Sequence, residues 1–365
     1  MKIGVLLIVS ALVLNTRSVP ISLRRSERIG MDPSITLVTQ ASYDKMVMLR
    51  GMLQRWTFLN DGARASVALY GQDDEERKEI ATEIKYLTKI YGEDRVKFKI
   101  HEAADGEVLS EYPINEMRNL AVQNVDEDSE FAFIVDIDLW PSYDSYKILL
   151  SSLRELAGKT KVALVVPPFA FAGSIEDGNL RVHAKDADEA KRYDSVIPKT
   201  HAELRKCYVF DYSIYPRFHN VEKEWMVPRD ENTGLYSKCY VFDRFNPGGH
   251  SSTNISQWWD QEPGSVRKIS CINSLKYEPY VVLRTEEMKS MPFSENFKGY
   301  GKNKVDFMRK LWMNGYMFYV AGGAFIFHHP HITSQARKLW ADKKSLEGEE
   351  MKSRNDEIYS NILSE

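Results

Sequence analysis

Residues 131–142 read FAFIVDIDLWPS, an apolar run that finishes in Asp136 and Asp138, one residue apart. Two bare carboxylates this close repel, and both ionise cheaply only beside positive charge. A divalent cation supplies it. Oxygen ligands suit Mg²⁺ or Mn²⁺, and an added imidazole favours Mn²⁺. Such an ion can clamp a diphosphate and neutralise it as it leaves. The plainer reading is that one aspartate caps a helix starting near Ser142, with no metal.

The elements around the pair narrow the choice. Residues 35–39 and 66–70 are β-rich, and 96–100 and 131–135 read as further strands. Between them, residues 43–56, 73–91 and 114–123 carry apolar side chains at helical spacing. Strands alternating with helices imply βαβ units and a mostly parallel sheet. Ligands bind such sheets beyond the carboxyl ends of the strands, which is where Asp136 and Asp138 would emerge. Two enzyme classes put paired aspartates there. In haloacid-dehalogenase phosphatases Thr or Val usually follows, whereas this chain continues Leu139-Trp140-Pro141. Nucleotide-sugar transferases of the GT-A fold place the pair after the nucleotide-binding half, as here.

Composition sets outer bounds. The 365 residues are 43% hydrophobic and 28% charged, a globular balance. A formal charge of −3 offers no basic footprint for nucleic acid. Aromatic residues make up 12%, which suits both sugar stacking and ordinary core packing. Met1-Lys2, an apolar run over residues 3–14, then Asn15-Thr16-Arg17-Ser18 has the layout of a secretory signal over 1–18. If uncleaved, it is a short membrane anchor. A basic linker over 19–33 follows, then the folded part over 34–333 and a charged helical tail over 334–365 that packs outside or moves freely. Three cysteines are too few for a disulfide framework, so the core is expected to hold by packing instead of crosslinks.

Six blocks in order carry a resemblance. They are Tyr112–Ala121, Pro198–Leu204, Gly249–Asn254, Tyr277–Val282, Phe297–Val305 and Phe327–His331. The set resembles glycosyltransferase family 49, the LARGE-like glucuronyltransferases, over roughly residues 35–331. The resemblance implies an α/β GT-A fold, with a Rossmann-like nucleotide-binding half and a mixed central sheet. It also implies Mn²⁺ (Mg²⁺ as the alternative), a UDP-sugar donor and an inverting transfer of glucuronic acid to a terminal xylose on a glycan or glycoprotein. A Golgi-lumen location follows, with secretion as the alternative. Homo- or hetero-oligomers stay open. The other functional readings are a different UDP-sugar on the same machinery and a silent glycan-binding protein that keeps the fold.

The resemblance also implies site residues. Asp136, Asp138 and His328 match the metal ligands, with His331 as the second histidine candidate. Arg118 and Asn119 fall on the helix before the metal strand, where a guanidinium fork reaches a diphosphate or a donor carboxylate. Gly299, Gly301, Asn303 and Lys304 form a glycine loop opening a helix, suited to an anion. The loop lacks the third glycine and the strand context of a dinucleotide fingerprint. His250, Thr253, Asn254 and Tyr300 are expected at donor or acceptor hydroxyls. Asn254-Ile255-Ser256 is also a glycosylation sequon, expected bare if the block lines the pocket. An inverting transfer needs a base for the acceptor hydroxyl, and Glu278 and Glu295 are the candidates. Here the chain departs from the family pattern, because Phe293-Ser294 stands where Tyr-Asp is usual. A charged, turn-rich insertion over 220–238 leaves acceptor choice open.

Overall fold

The computed structural model describes residues 33–102, 111–173, 182–209, 229–242, 247–342 and 344–364. The leader expected over 1–18, the linker up to residue 32 and the first part of the insertion, 220–228, lie outside the described residues.

Alternating burial builds the first half. The strands β1 (Ile35–Ser42), β2 (Arg64–Gly71), β3 (Val96–Glu102) and β4 (Phe131–Ile134) pair in parallel in the order β3-β2-β1-β4. β1, β2 and β4 are buried along nearly their whole length, as strands covered on both faces must be. Helix α1 (Asp74–Tyr91) starts where the Asp73 side chain accepts from the amides of Glu75 and Glu76. Helix α2 (Ile114–Gln123) lies over β1 and β2 and buries Met117, Ala121 and Val122.

The second half makes the sheet mixed. β5 (Leu139–Pro141), β6 (Val162–Val166), β7 (Pro168–Phe171), β8 (Cys239–Val241), β9 (Val266–Lys268), β10 (Tyr280–Arg284), β11 (Met317–Ala321) and β12 (Ile326–His328) complete the described strands. β10 inserts antiparallel between β4 and β6, β11 runs parallel to β6, and β9 closes the edge. A smaller sheet has the order β5-β12-β7-β8. Helix α3 (Ser145–Glu155) follows β5, with Asp144 at its N-cap. Helices α4 (Asn303–Met313), α5 (Gln335–Ala341) and α6 (Leu346–Ser364) complete what the site needs.

Two expectations change. Residues 43–56 do not form one regular helix. A 3₁₀ turn over Tyr43–Met48 leads into a short α-helix, Leu49–Leu53, and then a π turn, Gln54–Phe58. The segment is squeezed against the second sheet: the Trp140 ring occupies the space a Cβ on Gly51 would need. Second, the core is not held by packing alone, because Cys207 and Cys239 form a disulfide across 32 residues of sequence. Cys271 is free and exposed. Spacing alone could not tell which two of three cysteines meet.

Candidate active site

The register of the strands assembles the site. β4 ends at Ile134, opposite Val281 of β10, so Asp136 emerges beside Tyr280 at the start of β10. β5 pairs antiparallel with β12, setting Leu139 opposite His328. The His329 amide then donates to the Asp138 carbonyl at 2.7 Å and ties the two strand ends together.

Asp136 is surrounded by donors. Arg118 Nη2 reaches its Oδ1 at 2.9 Å, and Lys304 Nζ and the Tyr280 hydroxyl reach its Oδ2 at 2.9 and 3.0 Å. Burial opposes ionisation here, but the Lys304 ammonium and the Arg118 guanidinium outweigh it and hold the carboxyl well below the usual range. The Lys304 ammonium is itself pushed down by burial and lifted above its ordinary value by Asp136. It also bonds the Tyr280 hydroxyl at 2.7 Å and lies 4.1 Å from the centre of that ring. Burial and the neighbouring aspartates drive the Tyr280 phenol far upward, so it stays a donor.

Asp138 faces the other way. Lys45 Nζ and His331 Nε2 each lie 3.2 Å from its Oδ2. Asp138, His328 and His331 offer one ligand atom each, all within 4.8 Å of one another. Two imidazoles and a carboxylate fit a divalent transition metal, Mn²⁺ or a neighbour in its series. Asp136, committed to Lys304 and Arg118, stands outside that group among the described residues. The Lys45 ammonium occupies part of the charge field a cation would share, with its side chain 22% exposed.

The remaining expected residues fall into distinct places. Arg118 donates to Asn115 and to Asn303 as well as to Asp136, so helices α2 and α4 meet at its fork. Asn119 is not at the aspartates. Its amide and carbonyl clasp the backbone of Phe293, and the amide also donates to Glu295 at 2.8 Å. Glu295 is solvent-exposed, whereas Glu278 is half-buried and its charge acts on both Lys304 and Tyr280. Gly299 and Gly301 take φ of 66° and 105°, and Lys302 follows at 58° to open α4. His250 is buried, its ring nearly parallel to Tyr280 with centres 6.2 Å apart. Thr253 is buried against the Tyr277 hydroxyl at 3.0 Å. Asn254 is exposed and caps a short helix, with its Oδ1 accepting from Ser256 and Gln257. That placement removes the steric ground for expecting the sequon bare.

Sequence reasoning gave no role to Lys45 or Tyr280. Tyr280 had a signal, because it opens a strand directly after Glu278-Pro279. Lys45 had none, since a lysine in a helix-like pattern reads as solvent-facing.

Cations and candidate metal ligands gathered at strand ends of a mixed α/β sheet are what a diphosphate leaving group needs, and the class they fit is a nucleotide-sugar transferase. The chain matches the glycosyltransferase family 49 profile, described as "Glycosyl-transferase for dystroglycan", over residues 98–235 and 237–364, and it belongs to that family. It is 29% identical over 303 residues to xylosyl- and glucuronyltransferase LARGE2 of Mus musculus, covering 82% of this chain and 35% of that protein. It is 26% identical over 304 residues to LARGE1 of Homo sapiens, covering 82% and 32%. The chain thus spans about a third of the length of the curated relatives it matches. Among solved structures, TarS 1-349 of S. aureus aligns at 13% identity with a TM-score of 0.42, covering 80% of this chain and 60% of that one. GalNAc-T7 with UDP, GalNAc and Mn²⁺ aligns at 11% with a TM-score of 0.44, covering 84% and 45%.

Proposed function

We propose that this chain transfers glucuronic acid from UDP-glucuronate to a glycan acceptor such as a terminal xylose, with inversion. The observation that carries the reading is the divided aspartate pair. Asp136 is tied to Lys304 and Arg118, while Asp138 joins His328 and His331. A divalent ion held by Asp138, His328 and His331 would supply charge to the diphosphate as it departs. Lys304 and Arg118 present fixed positive charge next to that position and orient an anionic donor without moving. Glu278, half-buried in the same electrostatic field, is the better placed base for the acceptor hydroxyl. Glu295 is engaged by Asn119. The names of the LARGE relatives support glucuronate and xylose as the sugars to test first.

A lumenal location in the secretory pathway, in the Golgi, completes the proposal. The Cys207–Cys239 disulfide favours an oxidising compartment. No described helix is long and apolar enough to cross a membrane.

The test is donor hydrolysis and transfer with a panel of UDP-sugars, with and without Mn²⁺. Release of UDP from UDP-glucuronate, lost on chelation, is the expected result. Preference for another UDP-sugar would move the donor assignment. Binding without turnover of any donor would overturn the enzymatic reading.

A further inference from the structure

The outer side of the glycine loop carries a cluster that the transfer chemistry does not use. Tyr300, 37% exposed, stands at the tip of the loop, and α5 brings Trp340 to within 5.2 Å of it, centre to centre. The Arg337 guanidinium lies over both rings, 5.0 Å from the Tyr300 centre and 4.4 Å from the Trp340 centre. Among the described residues Arg337 makes no ion pair, so its charge is held by ring faces alone. Stacking keeps the planar fork rigid and weakly hydrated, ready for a bidentate anion. Lys352 lies 5.4 Å from the Trp340 ring but is paired with Glu349 at 2.7 Å, so Arg337 is the cation left for an anion.

The cluster is built in place. A Cβ on Gly301 would lie 3.6 Å from the Trp340 indole nitrogen, so the glycine loop seats the ring. Asn355 of α6 is buried and donates to the carbonyls of Lys298 and Tyr300 at 3.0 and 3.1 Å. The Tyr300 amide in turn donates to Met351 Sδ at 3.4 Å. On its inner side the same loop runs into Asn303 and Lys304, which reach Arg118 and Asp136. One short segment therefore joins the cluster to the proposed transfer site.

We propose that Tyr300, Arg337 and Trp340 form an acceptor subsite for an anionic saccharide. The exposed Tyr300 ring offers apolar surface to a sugar, Trp340 backs the Arg337 guanidinium, and Arg337 pairs with the acid group of the sugar. This rests on the proposed transferase reading, because it takes the loop as the lip of the acceptor cleft.

The experiment measures binding to the full chain by saturation-transfer NMR, using p-nitrophenyl β-glucuronide, p-nitrophenyl β-glucoside 6-sulfate and the neutral p-nitrophenyl β-glucoside. The expected result is binding of the two anions about tenfold tighter than the neutral glycoside, an advantage lost in Arg337→Gln and partly kept in Arg337→Lys. A preference for glucuronide over sulfate identifies a carboxylate as the recognised group, and the reverse identifies an ester anion. Equal binding of charged and neutral glycosides, or equal loss of both in Arg337→Gln, overturns the subsite. UDP release by the parent protein without acceptor is read separately. Its absence beside anion-selective binding would defeat the transferase reading, and with it the acceptor role, while leaving an anion-selective saccharide site at Arg337.

Discussion

Glu278 and Glu295 show how much a difference in exposure decides. They lie in or beside different sequence blocks, and of the two it is Glu278 whose charge acts on Lys304 and Tyr280. Glu278→Gln should lower the transfer rate by about a hundredfold or more while the donor KM changes little. Glu295→Gln should cost less than about tenfold, and it should act through the Phe293 segment that Asn119 clasps. Steady-state kinetics on both variants check the assignment, and a larger loss in Glu295→Gln would reverse it. Asn254 is a second residue-scale case. With its side chain exposed and its Nδ2 in no hydrogen bond among the described residues, it should carry a glycan when the chain passes through a secretory host. Mass spectrometry of the tryptic peptide, on material that still releases UDP, reads the occupancy. The placing of Asp136 and Asp138 at a strand end was legible in sequence, because the apolar run before them reads as a buried strand. Their different partners were not, because these depend on Lys45 and His331 arriving from opposite ends of the chain.

At the scale of elements, α6 is the surprise. Its sequence is dense in charge, and such a pattern reads as a solvated face. The helix nevertheless inserts Met351, Asn355 and Tyr359, all buried, toward the glycine loop and the residues near it. Met351, Asn355 and Tyr359 follow one another at four-residue steps, one narrow stripe on an otherwise polar helix. Removing the Asn355 amide leaves two loop carbonyls without that donor, which costs about 1–3 kcal/mol. Asn355→Ala should therefore raise the donor KM more than it lowers kcat, because Lys304 is positioned through the loop. A uniform fall in stability with unchanged KM would make α6 a structural brace only. By contrast, α1 and α2 were readable to within a residue, since their apolar spacing, the Asp73 cap and the Pro113 start all agree. The segment over 43–56 misled because its apolar spacing is helical, while the chain there passes through a 3₁₀ turn and a short α-helix into a π turn.

For the whole molecule, the disulfide and the mixed sheet matter most. Cys207 is at the end of a short helix and Cys239 starts β8, so their bond anchors the edge of the smaller sheet. Replacing both by serine should lower stability by about 2–4 kcal/mol, with the thermal midpoint dropping accordingly. Calorimetry on the double variant tests this, and an unchanged midpoint would show that packing carries that edge alone. The alternating first half announced its parallel order through buried strands and intervening helices. The insertion of β10 between β4 and β6 was not announced, because nothing local in Tyr280–Arg284 tells a parallel partner from an antiparallel one.

Lys45, Arg118, Asp136, Glu278, Lys304 and His331 converge from nearly the full span of the described chain. Contacts so remote in sequence close late and slowly during folding. On a ribosome the acids at 136 and 138 emerge long before Lys304 and His331 exist, and the brace at Asn355 comes later still. A nascent chain of this protein therefore carries Asp136 and Asp138 at the rim of a half-made sheet with only Lys45 and Arg118 to balance them for much of its synthesis, a window in which exposed, part-paired charge would favour capture by chaperones.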